Sequence, residues 1–255
     1  MRIYKLFWLI TVLSTMAWAQ PQSLDFSQWP VKGELKSLTV EQRQFVSLWI
    51  EQQTPQQRGT AILLPDWGNS PSSEDMIDSL RQTLPSLGWQ TGAILPPAPQ
   101  ASLMQDSEPQ DQQNTYQQQL SEVIEAARQT QAQPFGFQLL IAQGVMGAWL
   151  VELLAEQQLS PPDGLILMST YYPNQALNQR LAKQLARLSI PVLDIYDPNY
   201  NQWQFEAAQQ RLIASNKSQK LNYRQTQLPV SAETAPNHAL LTKSIYGWLN
   251  ALGWY

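Results

Sequence analysis

The strongest constraint in this 255-residue chain is an alternation. From Thr60 to Leu252, short apolar runs take turns with amphipathic stretches of helical period. The apolar runs are Thr60–Pro65, Gln90–Leu95, Phe137–Gln143, Gly164–Ser169, Pro191–Tyr196 and, more mixed, Leu221–Leu228. Between them lie stripes such as Met76, Ile77, Leu80 and Leu84, or Leu177, Leu181, Leu185 and Leu188. Near-continuous apolar strands separated by helices predict a mainly parallel sheet buried on both faces. Right-handed crossovers make this a three-layer α/β sandwich. Glu34–Gln52 instead alternates with period two and predicts two antiparallel strands ahead of the parallel set.

The stretch Phe137-Gln-Leu-Leu-Ile-Ala-Gln-Gly-Val-Met-Gly-Ala-Trp-Leu-Val-Glu-Leu-Leu154 reads as a buried strand, a tight turn and a helix. Its turn, Gln143-Gly144-Val145-Met146-Gly147, holds no Ser, Cys or Asp. The polar, Gln-rich stretch Ala98–Asn114 reads as a long loop. About five residues separate the strand ending at Ser169 from the next helix, which leaves no room for a cap domain.

The amino terminus carries a separate signal. Arg2 and Lys5 precede an apolar Leu6–Met16 core, and Ala17-Trp18-Ala19 is a small-residue cleavage site. This pattern predicts a secretory signal over residues 1–19, a polar lead-in over 20–32 and one domain over 33–255. An uncleaved anchor is the alternative, disfavoured by the short apolar core. Cleavage would leave 14 basic against 20 acidic residues. The expected location is the periplasm, or outside the cell, with no stable membrane span once the signal is removed. The chain has no Cys and one His, so disulfides and Cys-based metal sites are excluded, and neither metal nor cofactor is expected. No basic run points to nucleic acid.

Order and spacing carry a resemblance. The carriers are Ala61-Ile-Leu-Leu-Pro-Asp-Trp-Gly68, Leu84-Pro-Ser-Leu-Gly-Trp89, Ala142-Gln-Gly-Val-Met-Gly-Ala148, and His238 ahead of Ile245-Tyr-Gly-Trp-Leu249. Over Glu34–Leu252 the chain resembles the α/β-hydrolase superfamily, and within it a family of exported bacterial proteins of unknown function. The resemblance implies a nucleophile elbow, Gly-x-Ser-x-Gly, at the turn after Phe137–Gln143. Counted from the strand, Gly144 takes the nucleophile position; counted from the helix, Val145 does. An elbow residue sits at positive φ, which favours Gly144.

The resemblance further implies an acid after the strand ending at Tyr196, hence Asp197, with Asp194 second. It implies a base after the last strand, hence His238. The Pro65-Asp66-Trp67-Gly68 turn stands where the fold often places an oxyanion-hole amide. Asp66, Trp67, Gly144, Val145 and Met146 are therefore the candidate pocket residues. Asp66 has a competing role as a turn former, hydrogen-bonding the backbone ahead of Gly68. Trp67 and Trp149 are both candidates to line a pocket for an apolar or sugar-like ligand, and both have a competing role in core packing.

Three functions fit. A binding or assembly protein for an unknown ligand or envelope partner comes first, since an elbow without a nucleophile offers no acyl-enzyme. A His238–Asp197 base enzyme comes second. An esterase with a displaced Ser comes last, Ser169 and Thr170 being the substitutes considered.

Overall fold

The computed structural model describes residues 32–40, 43–73, 75–97, 110–130, 135–198, 201–228 and 235–254. The expected signal segment and most of the lead-in lie outside these residues. An eight-stranded sheet runs through the domain in the order β1-β2-β4-β3-β5-β6-β7-β8. Its strands are β1 (Glu34–Val40), β2 (Arg43–Ile50), β3 (Gly59–Leu64), β4 (Trp89–Ile94), β5 (Phe137–Gln143), β6 (Gly164–Met168), β7 (Val192–Tyr196) and β8 (Tyr223–Gln227). β1 and β2 are antiparallel to each other, and β2 is antiparallel to β4. Every pairing from β4 across to β8 is parallel.

Strand alternation sorts the core into two layers. Ile62 and Leu64 of β3, Leu140 and Ala142 of β5, and Leu165 and Leu167 of β6 face one layer. That layer is built with α2 (Gln110–Gln129), α3 (Gly144–Ala155) and α4 (Gln175–Arg187). Ala61, Leu63, Leu139, Ile141, Ile166 and Met168 face the other, built with α1 (Met76–Thr83) and α6 (Ala235–Ala251). Successive side chains on a strand point to opposite faces, so an apolar run without polar gaps requires a cover on each. α3 is buried on every side from Gly144 to Leu154. Each Leu of this helix withdrawn from water contributes about 1.5–3 kcal/mol.

Local chemistry sets the helix starts. The Asp75 carboxylate caps α1 by accepting the N–H groups of Ile77 and Asp78, at 2.9 and 3.3 Å. Asn174 caps α4 and Asn201 caps α5 (Gln202–Lys217) in the same way. Two boundaries depart from the sequence reading. Gln110–Asn114 begin α2 instead of ending a loop, because Gln is a good helix former and a polar composition does not by itself oppose a helix. α6 begins at Ala235, so His238 lies inside the helix and not ahead of it.

Candidate functional site

All six strands from β3 to β8 end at the same edge of the sheet, where doubly wound folds bind ligands. At the centre of that edge β5 passes into α3 through Gly144, whose φ of +57° lies in the left-handed region. Gln143 before it is still extended, and Val145 is already helical. The turn apex is thus Gly144.

Asp66 meets this apex from the turn after β3. Its Oδ1 accepts the N–H of Trp67 at 2.7 Å and that of Val145 at 2.9 Å. The second bond joins residues 79 positions apart. A methyl carbon built on Gly144 would stand 2.1 Å from the Asp66 Cγ and Oδ1 and 2.2 Å from Oδ2. The carboxylate therefore fills the space into which any larger residue at 144 would project its side chain. Oδ2 has no hydrogen-bond partner among the described residues. Burial pushes the Asp66 carboxyl above its ordinary range, and the two backbone N–H groups pull it part of the way back.

The other candidates fall around this centre. Trp67 is half-buried and meets Tyr116 of α2 edge-on, with ring centroids 6.0 Å apart. Tyr116 Oη lies 3.7 Å from the sulfur of the buried Met146. Trp149 is a core residue between Tyr116 and Tyr172, at 5.3 and 6.0 Å. Gly147 admits Thr170: an added carbon there would stand 2.1 Å from the Thr170 Oγ1. Its small size thus serves the approach of the loop after β6. Ser169 holds φ at +51° and donates its N–H to the Ile195 carbonyl.

Asp197 follows β7 directly and is fully buried. His238, on the first turn of α6, has a buried Nε2 without a hydrogen-bond partner, so this nitrogen makes no bond to Asp197. Asp194 is occupied elsewhere. Its carboxylate pairs with the buried Arg211 at 2.8 and 2.9 Å and accepts the Tyr223 hydroxyl at 2.6 Å. Arg211 also donates to the Thr170 carbonyl, tying α5 to the loop after β6. The sequence reading missed Arg211, Tyr116 and the reach of Asp66 to Val145. Only Tyr116 had a local signal, its place on the apolar stripe of α2.

The turn role expected of Asp66 is present in the bond from Trp67, but the side chain also crosses to the elbow. Among the described residues no group of three or more His, Asp or Glu could hold a metal ion. None of their helices is long and apolar enough to cross a membrane.

A family model described as "protein of unknown function (DUF3530)" matches residues 19–112 and 104–251. The chain belongs to this family. A search of curated proteins finds no match. Among solved structures, Est1E from Butyrivibrio proteoclasticus is 11% identical with a TM-score of 0.64, over 85% of this chain and 98% of that one. XC6422 from Xanthomonas campestris, described as an α/β serine hydrolase without lid, is 14% identical with a TM-score of 0.61, over 88% and 96%. A putative dienelactone hydrolase from Klebsiella pneumoniae is 10% identical with a TM-score of 0.60, over 85% and 97%. This DUF3530 protein has the α/β-hydrolase fold, and its β6–α4 connection spans only residues 169–174, with no cap domain.

In serine hydrolases of this fold, two N–H groups form the oxyanion hole. One belongs to the residue after the nucleophile and the other to the loop after the third strand. In this chain Val145 and Trp67 present N–H groups at those two places, and the Asp66 carboxylate accepts both.

Proposed function

We propose that this protein acts by binding, holding a ligand or an envelope partner at the carboxyl edge of its sheet without forming an acyl-enzyme. The reading rests on one observation, the seating of Asp66 over Gly144 on the N–H groups of Trp67 and Val145. Acyl transfer needs a nucleophile at the apex and open N–H donors that receive the charge developing on the carbonyl oxygen. A carboxylate on those donors cancels them and repels an oxyanion. Asp66, Trp67, Gly144, Val145 and Met146 are the proposed binding residues. The signal pattern supports export to the periplasm, and a periplasmic chain sequenced from Gln20 would bear this out.

A fluorophosphonate probe tests the main reading. The mature protein should stay unlabelled and leave p-nitrophenyl esters intact. Stoichiometric labelling of any Ser would overturn it.

The unpartnered Nε2 of His238 favours a second reading, in which His238 and Asp197 serve as a proton-abstracting pair. His238→Ala would then abolish turnover of a substrate with the fold intact. Under the first reading the same change leaves binding in place.

A further inference from the structure

A cleft lies at the opposite edge of the sheet from the elbow, ahead of β6 and β7. The carboxyl end of α3 and the turn after it form one wall. The carboxyl end of α4 and its connection to β7 form the other. The cleft encloses about 700 Å³, and small-molecule sites span roughly 300–1,000 Å³. Leu154, Leu159, Leu188 and Ile190 line it with hydrocarbon, and Gln184 and Arg187 of α4 with polar groups. Its lining contains no Asp and no Glu.

Two of these polar groups are unanswered. The Gln184 Oε1 is buried and meets no donor. Arg187 is exposed and makes no hydrogen bond or ion pair among the described residues. The cations behind the walls are occupied. Lys220 holds the carbonyls of Leu188 and Ile190, and Arg128 holds that of Ser160. Two helix ends would oppose an anion here through their carbonyls, but many of these are already answered. Gln157, with φ at +58°, turns the chain so that its own N–H and that of Gln158 meet the carbonyls of Leu154 and Leu153. Asn222 takes up the Ser189 carbonyl. Gln184 and Arg187 stand three residues apart on α4, so they are surface neighbours with Cβ atoms about 5–6 Å apart. A ligand that answers both needs a donor and an anion close together on an apolar body. In an α-amido carboxylate one carbon separates the N–H from the carboxylate.

We propose that this cleft is a second binding site, which takes an N-acylated α-amino acid with a medium-length acyl chain. The ligand carboxylate accepts from the Arg187 guanidinium in a charge-assisted pair. Its amide N–H donates to the Gln184 Oε1 and fills the open valence there. Its acyl chain lies on the leucine and isoleucine wall and is drawn out of water. The site is independent of the elbow, and it stands or falls whatever the Gly144 turn does.

The test is a calorimetric titration of the protein with N-octanoylglycine and two analogues. N-octanoylsarcosine keeps chain and carboxylate but has a methyl in place of the N–H. N-octanoylglycinamide keeps chain and N–H but has no charge. Losing the N–H should weaken binding about threefold or more, and losing the charge at least about tenfold. Arg187→Gln should erase the preference for the acid over its amide. Gln184→Leu should erase the preference for glycine over sarcosine. Both replacements are good helix formers at positions that are not fully buried, and the ligand series on the unaltered protein decides by itself should either fail to fold. Amide resonances of Ser160 and Ser189 should move along the titration while those of Trp67 and Val145 stay still. Absence of saturable binding by N-octanoylglycine, equal binding of either analogue, an unchanged preference in a folded variant, or shifts at Trp67 and Val145 instead would each overturn the proposal.

Discussion

A single absent methyl group shapes the centre of this molecule. Gly144 combines a left-handed backbone with a carboxylate in its side-chain space. Gly144→Ala meets both, at about 1–2 kcal/mol for the backbone and about 1–3 kcal/mol for crowding. In an Asp66→Ala background only the first cost should remain. Urea midpoints of the two single variants and the double variant give the coupling, expected at about 1–3 kcal/mol. Equal costs in both backgrounds would mean that the added methyl never meets the carboxylate. The apex was legible in the sequence, because a β-branched residue at positive φ is disfavoured and Gly144 was the alternative to Val145. The partner of the apex was not. Asp66 and Val145 are 79 residues apart and leave no periodic trace, so only the folded chain brings them together.

Elements were easier to read than contacts. Strands of continuous apolar residues and helices with a single apolar stripe announce themselves by period, which is why β3 to β7 and α4 fall near their expected positions. The start of α2 was hidden, since Gln110–Asn114 are polar and carry no stripe. The α1 cap supports a prediction about pH. Burial and the nearby Asp78 raise the Asp75 carboxyl to about 6, against the pull of its backbone and Asn69 bonds. A carboxyl with a raised folded value binds more protons folded than unfolded in the window between, so its contribution to stability falls as pH rises from about 4 to 6. The shift bounds this effect at about 3 kcal/mol. Asp75→Asn keeps a competent cap and removes the titration. Its stability should change less than that of the wild type over this window, as thermal unfolding at stepped pH would reveal. Identical slopes would assign the pH dependence to other groups.

At the scale of the whole molecule, the two edges of the sheet are chemically unlike. The amino edge carries cations that clamp its loops, Lys220 binding the carbonyls of Leu188 and Ile190 and the side chain of Asn222. The carboxyl edge gathers Asp66 and Asp197 beside unpaired polar atoms of Gln143, Thr170 and His238. The strand order also governs how the chain reaches this state. β3 lies between β4 and β5, and its register joins Leu64 to Ala142. The middle of the sheet therefore stays open until nearly eighty intervening residues have been looped out, whereas the β1–β2 hairpin closes within a few. Loop closure on that scale comes before any reward from pairing, so central assembly is the slow step, on the order of milliseconds to seconds. Stopped-flow fluorescence would follow it through Trp67 and Trp149, which flank the junction. A refolding phase completed within about 100 microseconds would contradict it. Until β5 docks, the two amides that hold Asp66 belong to segments that have not met, and the binding edge is among the last features of the molecule to exist.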